Sequence, residues 1–174
     1  PRPDDFQIKQ AVETIKKSKN PIIISGGGVF YSDAMKELSE FAKKHNIPTA
    51  QTVMGYSTMK KDDPYFLGAI GGFGGKATNN FMKKTDLAIA VGTKLADFTT
   101  GSWSNFENPN FKLVSINVSR FDANKHMAES VVGDAKVSLL DISNALGNWK
   151  APDDWYKKSR EALNSWNNYL DKES

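Results

Sequence analysis

Cysteine is absent from the 174 residues, which removes disulfides, thiolate zinc sites and thiol nucleophiles together and is compatible with a reducing compartment. Histidine is nearly absent, with only His45 and His126. Two imidazoles so far apart, without clustered carboxylates, make a poor metal site, and no nucleophile-elbow sequence marks a Ser-His-Asp grouping. No apolar run approaches the length of a membrane span, and the opening "PRPDD" is charged and proline-rich, unlike a secretory signal. Neither sign of charge dominates. The 23 basic and 20 acidic residues leave a net charge of +3 and are mixed along the chain, whereas a nucleic-acid footprint needs Lys and Arg gathered on one face. The expectation is a soluble, cytoplasmic protein with no nucleic-acid or membrane partner and no self-sufficient active site. Opening without methionine and closing on a polar helix, the chain also reads as a piece of something longer.

What is present alternates. "PDDFQIKQAVETIKKSKN" carries Phe6, Ile8, Val12 and Ile15 at near-helical spacing, with Asp4 and Asp5 in the first turn. "PIIIS" is a continuous apolar run suited to a strand covered on both faces. Met35, Leu38 and Phe41 space out a second helix that ends at "KKHN", where His45 reads as a charge complement to the helix C-terminus. The pairs Lys16-Lys17, Lys43-Lys44 and Lys83-Lys84 read the same way. "IPTAQTV" follows as a strand. "MGYSTMKKDDPYFLGAIGGFGGKAT" reads as a long irregular stretch, then helical "KATNNFMKK", strand "DLAIAVG", a loop, strand "FKLVSINV" and the short strand "AESVVGD". A final core helix, "AKVSLLDISNAL", turns Val137, Leu140, Ile142 and Leu146 inward. The length allows one well-filled domain. About five or six strands alternating with helices predict an α/β, Rossmann-like, doubly wound parallel sheet with helices on both faces.

Polar and glycine residues collect where the C-terminal ends of such strands would lie. Gly26, Gly27 and Gly28 follow the first strand, and Thr93, Lys94 and Asp97 follow "AIAVG". Asn117, Ser119, Arg120 and Asp122 end or follow "LVSINV", and Asp134 stands in "VVGDA". A glycine turn can present backbone N–H groups to a phosphate, yet the spacing is not G-x-G-x-x-G, and Gln51 and Thr52 stand where an acidic ribose partner would close the second strand. A strand-to-helix turn with no ligand explains the same glycines, and capping and loop hydrogen bonds explain the same polar groups. "GAIGGFGG" lacks the Lys-Ser or Lys-Thr of a P-loop, since Ala77 follows Lys76. It reads as a loop facing a partner domain. His126 lies beyond a strand end, where ligands of α/β sheets gather.

With these residues assembled, the chain resembles the central domain of thiamine-diphosphate-dependent enzymes, the group of acetolactate synthase, pyruvate oxidase and benzoylformate decarboxylase. The likeness runs over residues 5–147, through "KNPIIISGGGV", "ELSEFAKKHNIPTAQTVMGYSTMKKDDPYFLGAIG", "TDLAIAVGTKLADF" and "VVGDAKVSLLDISNAL". "TTGSW" and "SINVSRFDANKH" are similar to the inositol-catabolism branch, whose members hydrolyse a carbon–carbon bond to open the ring of a cyclic diketone. The resemblance implies a non-catalytic middle domain over residues 1–148 and a linker helix over 149–174, leading toward a diphosphate-binding domain. It implies thiamine diphosphate and Mg²⁺ held by flanking pyrimidine- and diphosphate-binding domains in a homodimeric or homotetrameric parent, with the loops Gly68 to Gly75 and Thr99 to Trp103 facing those domains. An acetolactate-synthase-like parent and a free FAD- or ADP-binding module stay open beside this reading. A sirtuin-like deacylase, which has a related sheet, would need a cysteine-bound zinc module.

The departures from the family pattern bear on the nucleotide. Relatives that bind FAD or ADP in this domain usually carry an acidic pair in the strand written here "SINVS", where this chain has Asn117 and Ser119. Lys94 stands where relatives often have Arg, and an ammonium does not replace a forked guanidinium. Gly26, Gly27, Gly28, Thr93, Lys94, Asn117 and Asp134 are therefore expected to form a vestigial nucleotide site. Gly133-Asp134-Ala135 with Asn167-Asn168 mimics the "GDG…NN" thiamine-diphosphate signature, but no strand between them would return the chain to a metal.

Overall fold

The computed structural model describes residues 1–71, 75–95 and 106–173. Six parallel strands form one sheet in the order β3-β2-β1-β4-β5-β6. In chain order these are β1 (Pro21–Ser25), β2 (Thr49–Gln51), β3 (Phe66–Ala69), β4 (Leu87–Val91), β5 (Lys112–Asn117) and β6 (Glu129–Val132). Helices α1 (Asp5–Lys16), α2 (Gly27–Tyr31), α3 (Met35–His45), α4 (Lys76–Met82), α5 (Arg120–Ala123), α6 (Ala135–Leu146) and α7 (Asp153–Glu173) connect or flank them. The doubly wound sheet is the predicted architecture. Among the described residues no helix is long and apolar enough to cross a membrane.

The continuous apolar strands behave as their composition demands. All five residues of β1 and all five of β4 are buried, because side chains alternate to opposite faces and both faces are covered. Ile23, Leu87, Ile89 and Val91 enter one core with α1, α3 and α6. Ile22, Ile24, Ala88 and Ala90 enter the other. There the small alanines lie under a stacked aromatic pair, Phe81 of α4 and Trp155 of α7, with ring centroids 4.1 Å apart.

Several local expectations needed correction. The stretch read as irregular contains β3, an edge strand of four residues. Gly68 at φ +118° and a register shift between Thr49 and Ala50 break its alternation, which hides it from a pattern search. In α6 the inward leucine is Leu139, and Leu140 is exposed. In α1 the buried residues are Ile8, Ala11, Val12 and Ile15, while Phe6 is exposed. The C-terminal helix also docks at its start. Trp155 is buried and its indole N–H donates to Pro21 O at 2.7 Å, whereas Tyr169 and Leu170 near the other end are exposed.

His45 is the largest departure. It is fully buried, with Nδ1 2.8 Å from Trp149 O and Nε2 2.9 Å from Ser143 Oγ. A carbonyl can only accept, so Nδ1 carries the hydrogen and Nε2 accepts from the serine hydroxyl. Burial lowers its pKa below the usual 6.5, and the nearby Lys44 and Lys150 push the same way against the Trp149 carbonyl. It is thus a neutral clasp and not a cationic complement to the helix end. The adjacent Asn46, at φ 58°, donates from Nδ2 to Ala151 O at 3.2 Å, and Ala151 N donates to His45 O at 2.8 Å, so the segment between α6 and α7 is fastened three times.

Because the folded pKa lies below the unfolded one, the unfolded chain binds more protons in the window between them, and stability falls as pH drops from about 6.5 through the folded value. Urea midpoints measured at pH 7.5 and 5 should fall more steeply for the natural chain than for His45→Gln, which lacks this titration. Equal slopes would show that His45 is not a buried neutral group.

Candidate functional site

In a doubly wound sheet the crossovers leave β1 and β4 in opposite directions, and a crevice opens above their C-terminal ends. Here that crevice is a cleft of about 730 Å³. Its lining includes Gly27, Gly28, Thr93, Lys94 and Asn117, so five of the seven predicted residues meet in one place. Gly26 precedes them as the N-cap of α2, and Asp134 caps α6 between two cleft residues, Gly133 and Ala135.

The glycines are there for backbone contact. A Cβ on Gly28 would stand 2.6 Å from Gly92 Cα, and one on Gly26 would stand 2.5 Å from Gly92 O. No real Cβ tolerates such a neighbour, so the two turns touch without side chains between them. Gly92 also holds φ +62°, a left-handed value that favours glycine. Two N–H groups that a phosphate would need are already committed. Gly26 donates to Val91 O and Gly28 to Gly92 O, each at 2.9 Å.

The polar side chains are committed as well. Asn117 Oδ1 accepts from Ser119 N at 2.9 Å, and its Nδ2 donates to Thr93 O at 3.3 Å. Thr93 Oγ1 accepts from Leu95 N at 3.2 Å, and Ser119 Oγ accepts from Asp122 N at 3.2 Å. A hydrogen bond from Lys125 holds the Asp122 carboxyl below its usual range. Burial alone would raise the Asp134 pKa, but hydrogen bonds from the Ser32 side chain and from the Val137 and Lys136 N–H groups outweigh it and keep the carboxylate ionised. Lys94 is the exposed cation at the mouth.

The remaining candidates fall elsewhere. Arg120 opens α5, and His126 is exposed at φ 61° in the 3₁₀ turn before β6. Asn167 and Asn168 lie in α7, which packs on α4 and β3, whereas Asp134 caps a helix packed on α1 and α3. Among the described residues no three His, Cys, Asp or Glu side chains are grouped to hold a metal. Asp97, the Thr99 to Trp103 loop with its "TTGSW" motif, and residues 72–74 of the Gly68 to Gly75 loop lie outside the described residues.

Sequence reasoning missed Gly92, although a glycine directly after the apolar run "LAIAV" was a legible signal. It also missed the apolar mouth of the cleft, where Tyr31, Val53, Met54 and Val118 stand exposed. They lie at the end of α2, in the turn after β2 and after β5, so no periodicity links them.

Residues 8–142 match the family model described as thiamine pyrophosphate enzyme, central domain. The chain is 41% identical over 170 residues to a 3D-(3,5/4)-trihydroxycyclohexane-1,2-dione hydrolase of Clostridium tetani, covering 98% of this chain and 26% of that protein. A Bacillus cereus protein of the same name is 38% identical over 168 residues, covering 97% and 26%. One from Clostridium perfringens is 44% identical over 140 residues, covering 80% and 22%. The chain thus spans about a quarter of the length of these relatives.

Replacing Gly28 with Ala forces a methyl into backbone and should cost about 3 kcal/mol. Gly75→Ala is the control, since its Cβ would meet only Trp166 Nε1 at 3.5 Å, and it should change stability by less than about 0.5 kcal/mol. Denaturant titration of both variants checks the contrast.

Proposed function

Because the chain belongs to the thiamine pyrophosphate enzyme central-domain family, we propose that it serves as the non-catalytic middle module, residues 1–148 with a linker helix over 149–174, of a parent enzyme that hydrolyses the ring of a trihydroxycyclohexane-1,2-dione. The observation that carries this reading is the 41% identity across 98% of the chain to a hydrolase of that name. In the reaction water adds to one ring carbonyl and the bond between the two carbonyl carbons breaks. One carbon leaves as a carboxylic acid, and the other takes a proton and becomes an aldehyde.

Bound thiamine diphosphate supplies a sink for the electron pair of the breaking carbon–carbon bond. The described residues that mimic its signature do not fit that cofactor or its Mg²⁺. Asp134 is spent on capping α6 and on Ser32, and Asn167 and Asn168 stand in a helix on the other side of the sheet. The cofactor and the reacting carbons therefore belong to flanking pyrimidine- and diphosphate-binding domains, which this module spaces and orients. The same reading makes the parent a cytoplasmic homodimer or homotetramer.

The cleft is a vestigial nucleotide site. Gly26, Gly28, Thr93, Asn117 and Asp134 engage partners within the protein, and Gly27 and the exposed Lys94 line the cleft beside them. Calorimetric titration of the chain with ADP and with FAD should give no micromolar binding, and heat at that level would restore the nucleotide-module reading. The parent, supplied with thiamine diphosphate and Mg²⁺, should release one equivalent of acid per cyclic dione. Acetolactate formed from pyruvate would place it with the synthases instead.

A further inference from the structure

We propose that a small cavity beyond the end of β2, separate from the cleft, binds a small polyhydroxylated anion, a sugar acid or a sugar phosphate. Its lining is Gln51, Tyr56, Ser57, Met59, Lys60 and Lys61, none of which lines the cleft. The volume is about 250 Å³, below the range of about 300 Å³ and above that takes drug-sized ligands. The occupant is therefore small.

Gln51 carries the assignment. It is the last residue of β2 and is 5% exposed, and among the described residues its Oε1 is buried without a hydrogen-bond partner. Buried side-chain oxygens are nearly always paired, and an exception in a native fold calls for an explanation. A carboxamide oxygen only accepts, so the group that completes it must donate, as a hydroxyl does. The main chain around it is already engaged. Gln51 O accepts from Ile70 N at 3.0 Å, Thr52 N donates to Ser25 O at 2.9 Å, and Thr58 N donates to Gly55 O at 3.0 Å. The Thr58 hydroxyl lies 2.7 Å from Ser25 Oγ, so the turn that walls the cavity is pinned to β1.

The charge of the lining supplies the second half of the ligand. Lys60 and Lys61 are exposed, and among the described residues neither takes part in an ion pair. No acidic residue is among the lining residues of this cavity. Ser57, Met59 and Lys60 also line a second hollow, but the acidic Glu37, Glu40 and Asp63 there are engaged by Lys136, Lys36 and Ser39. Two unpaired ammonium groups beside a neutral acceptor suit an anionic head on a hydroxylated carbon chain. Carboxylate and phosphate both satisfy a lysine point charge, and the hydroxyls go to Gln51 Oε1 and to the hydroxyls of Tyr56 and Ser57.

Calorimetric titration of the 174-residue chain with D-gluconate and with glucose 6-phosphate tests this. At least one should bind with a Kd below about 1 mM, and which one does identifies the head group. Neutral myo-inositol, acetate and inorganic phosphate, each lacking one half of the chemistry, should bind at least about tenfold more weakly. Gln51→Met keeps the length of the side chain and removes the acceptor, and Lys60→Gln/Lys61→Gln changes two exposed positions. Each variant should weaken the bound probe by about tenfold or more. A Kd above about 1 mM for both probes would overturn the proposal, as would unchanged affinity in the lysine variant. Displacement of the probe by ADP would overturn it as well, by moving the ligand to the cleft. The titration needs neither thiamine diphosphate nor a cyclic dione, so a parent with a different reaction leaves its outcome unchanged.

Discussion

The fold hangs on one backbone contact. Where β1 and β4 lie side by side and the winding of the sheet reverses, their following turns meet at Gly28 and Gly92 with nothing but hydrogen between the main chains. The Gly28 N–H binds Gly92 O, and the Gly92 N–H reaches on to Ile116 O at 2.9 Å, so three strand ends are laced together above the sheet. A crevice must open there because the crossovers diverge. Its floor is main chain, and its walls are whatever the three turns carry.

Those walls show why a fold does not settle a function. The crevice stands where nucleotides bind in sheets of this winding, but an amide at Asn117 can bridge two backbone groups as both donor and acceptor, which a carboxylate cannot do. The Asn117 side chain is a brace between β5 and the β4 turn. Self-satisfied polar groups make a stable edge and a poor ligand site.

Much of this was legible in the sequence, for identifiable reasons. "PIIIS" and "DLAIAV" declare themselves because strands buried on both faces are filled almost wholly by apolar residues, and the "SGGGV" turn is unmistakable where backbone must approach backbone. β3 was hidden because an edge strand broken by Gly68 has no clean period. The phase of α6 was misread at its adjacent leucines: Leu140 was turned inward, whereas Leu139 is the buried one. His45 was misread because its decisive partner, Trp149, lies 104 positions away. The rim of Tyr31, Met54 and Val118 exists only after three crossovers bring it together, so no local pattern could have announced it.

Helix α6 has a wider consequence. Its cap and second turn hold Pro1 and Arg2 through Pro1–Asp134 and Arg2–Asp141, while Ser143 near its other end holds His45, which holds the segment before α7 at Trp149. The first residues and the segment before α7 are bolted to a single rod, so a displacement of one reaches the other without passing through the sheet.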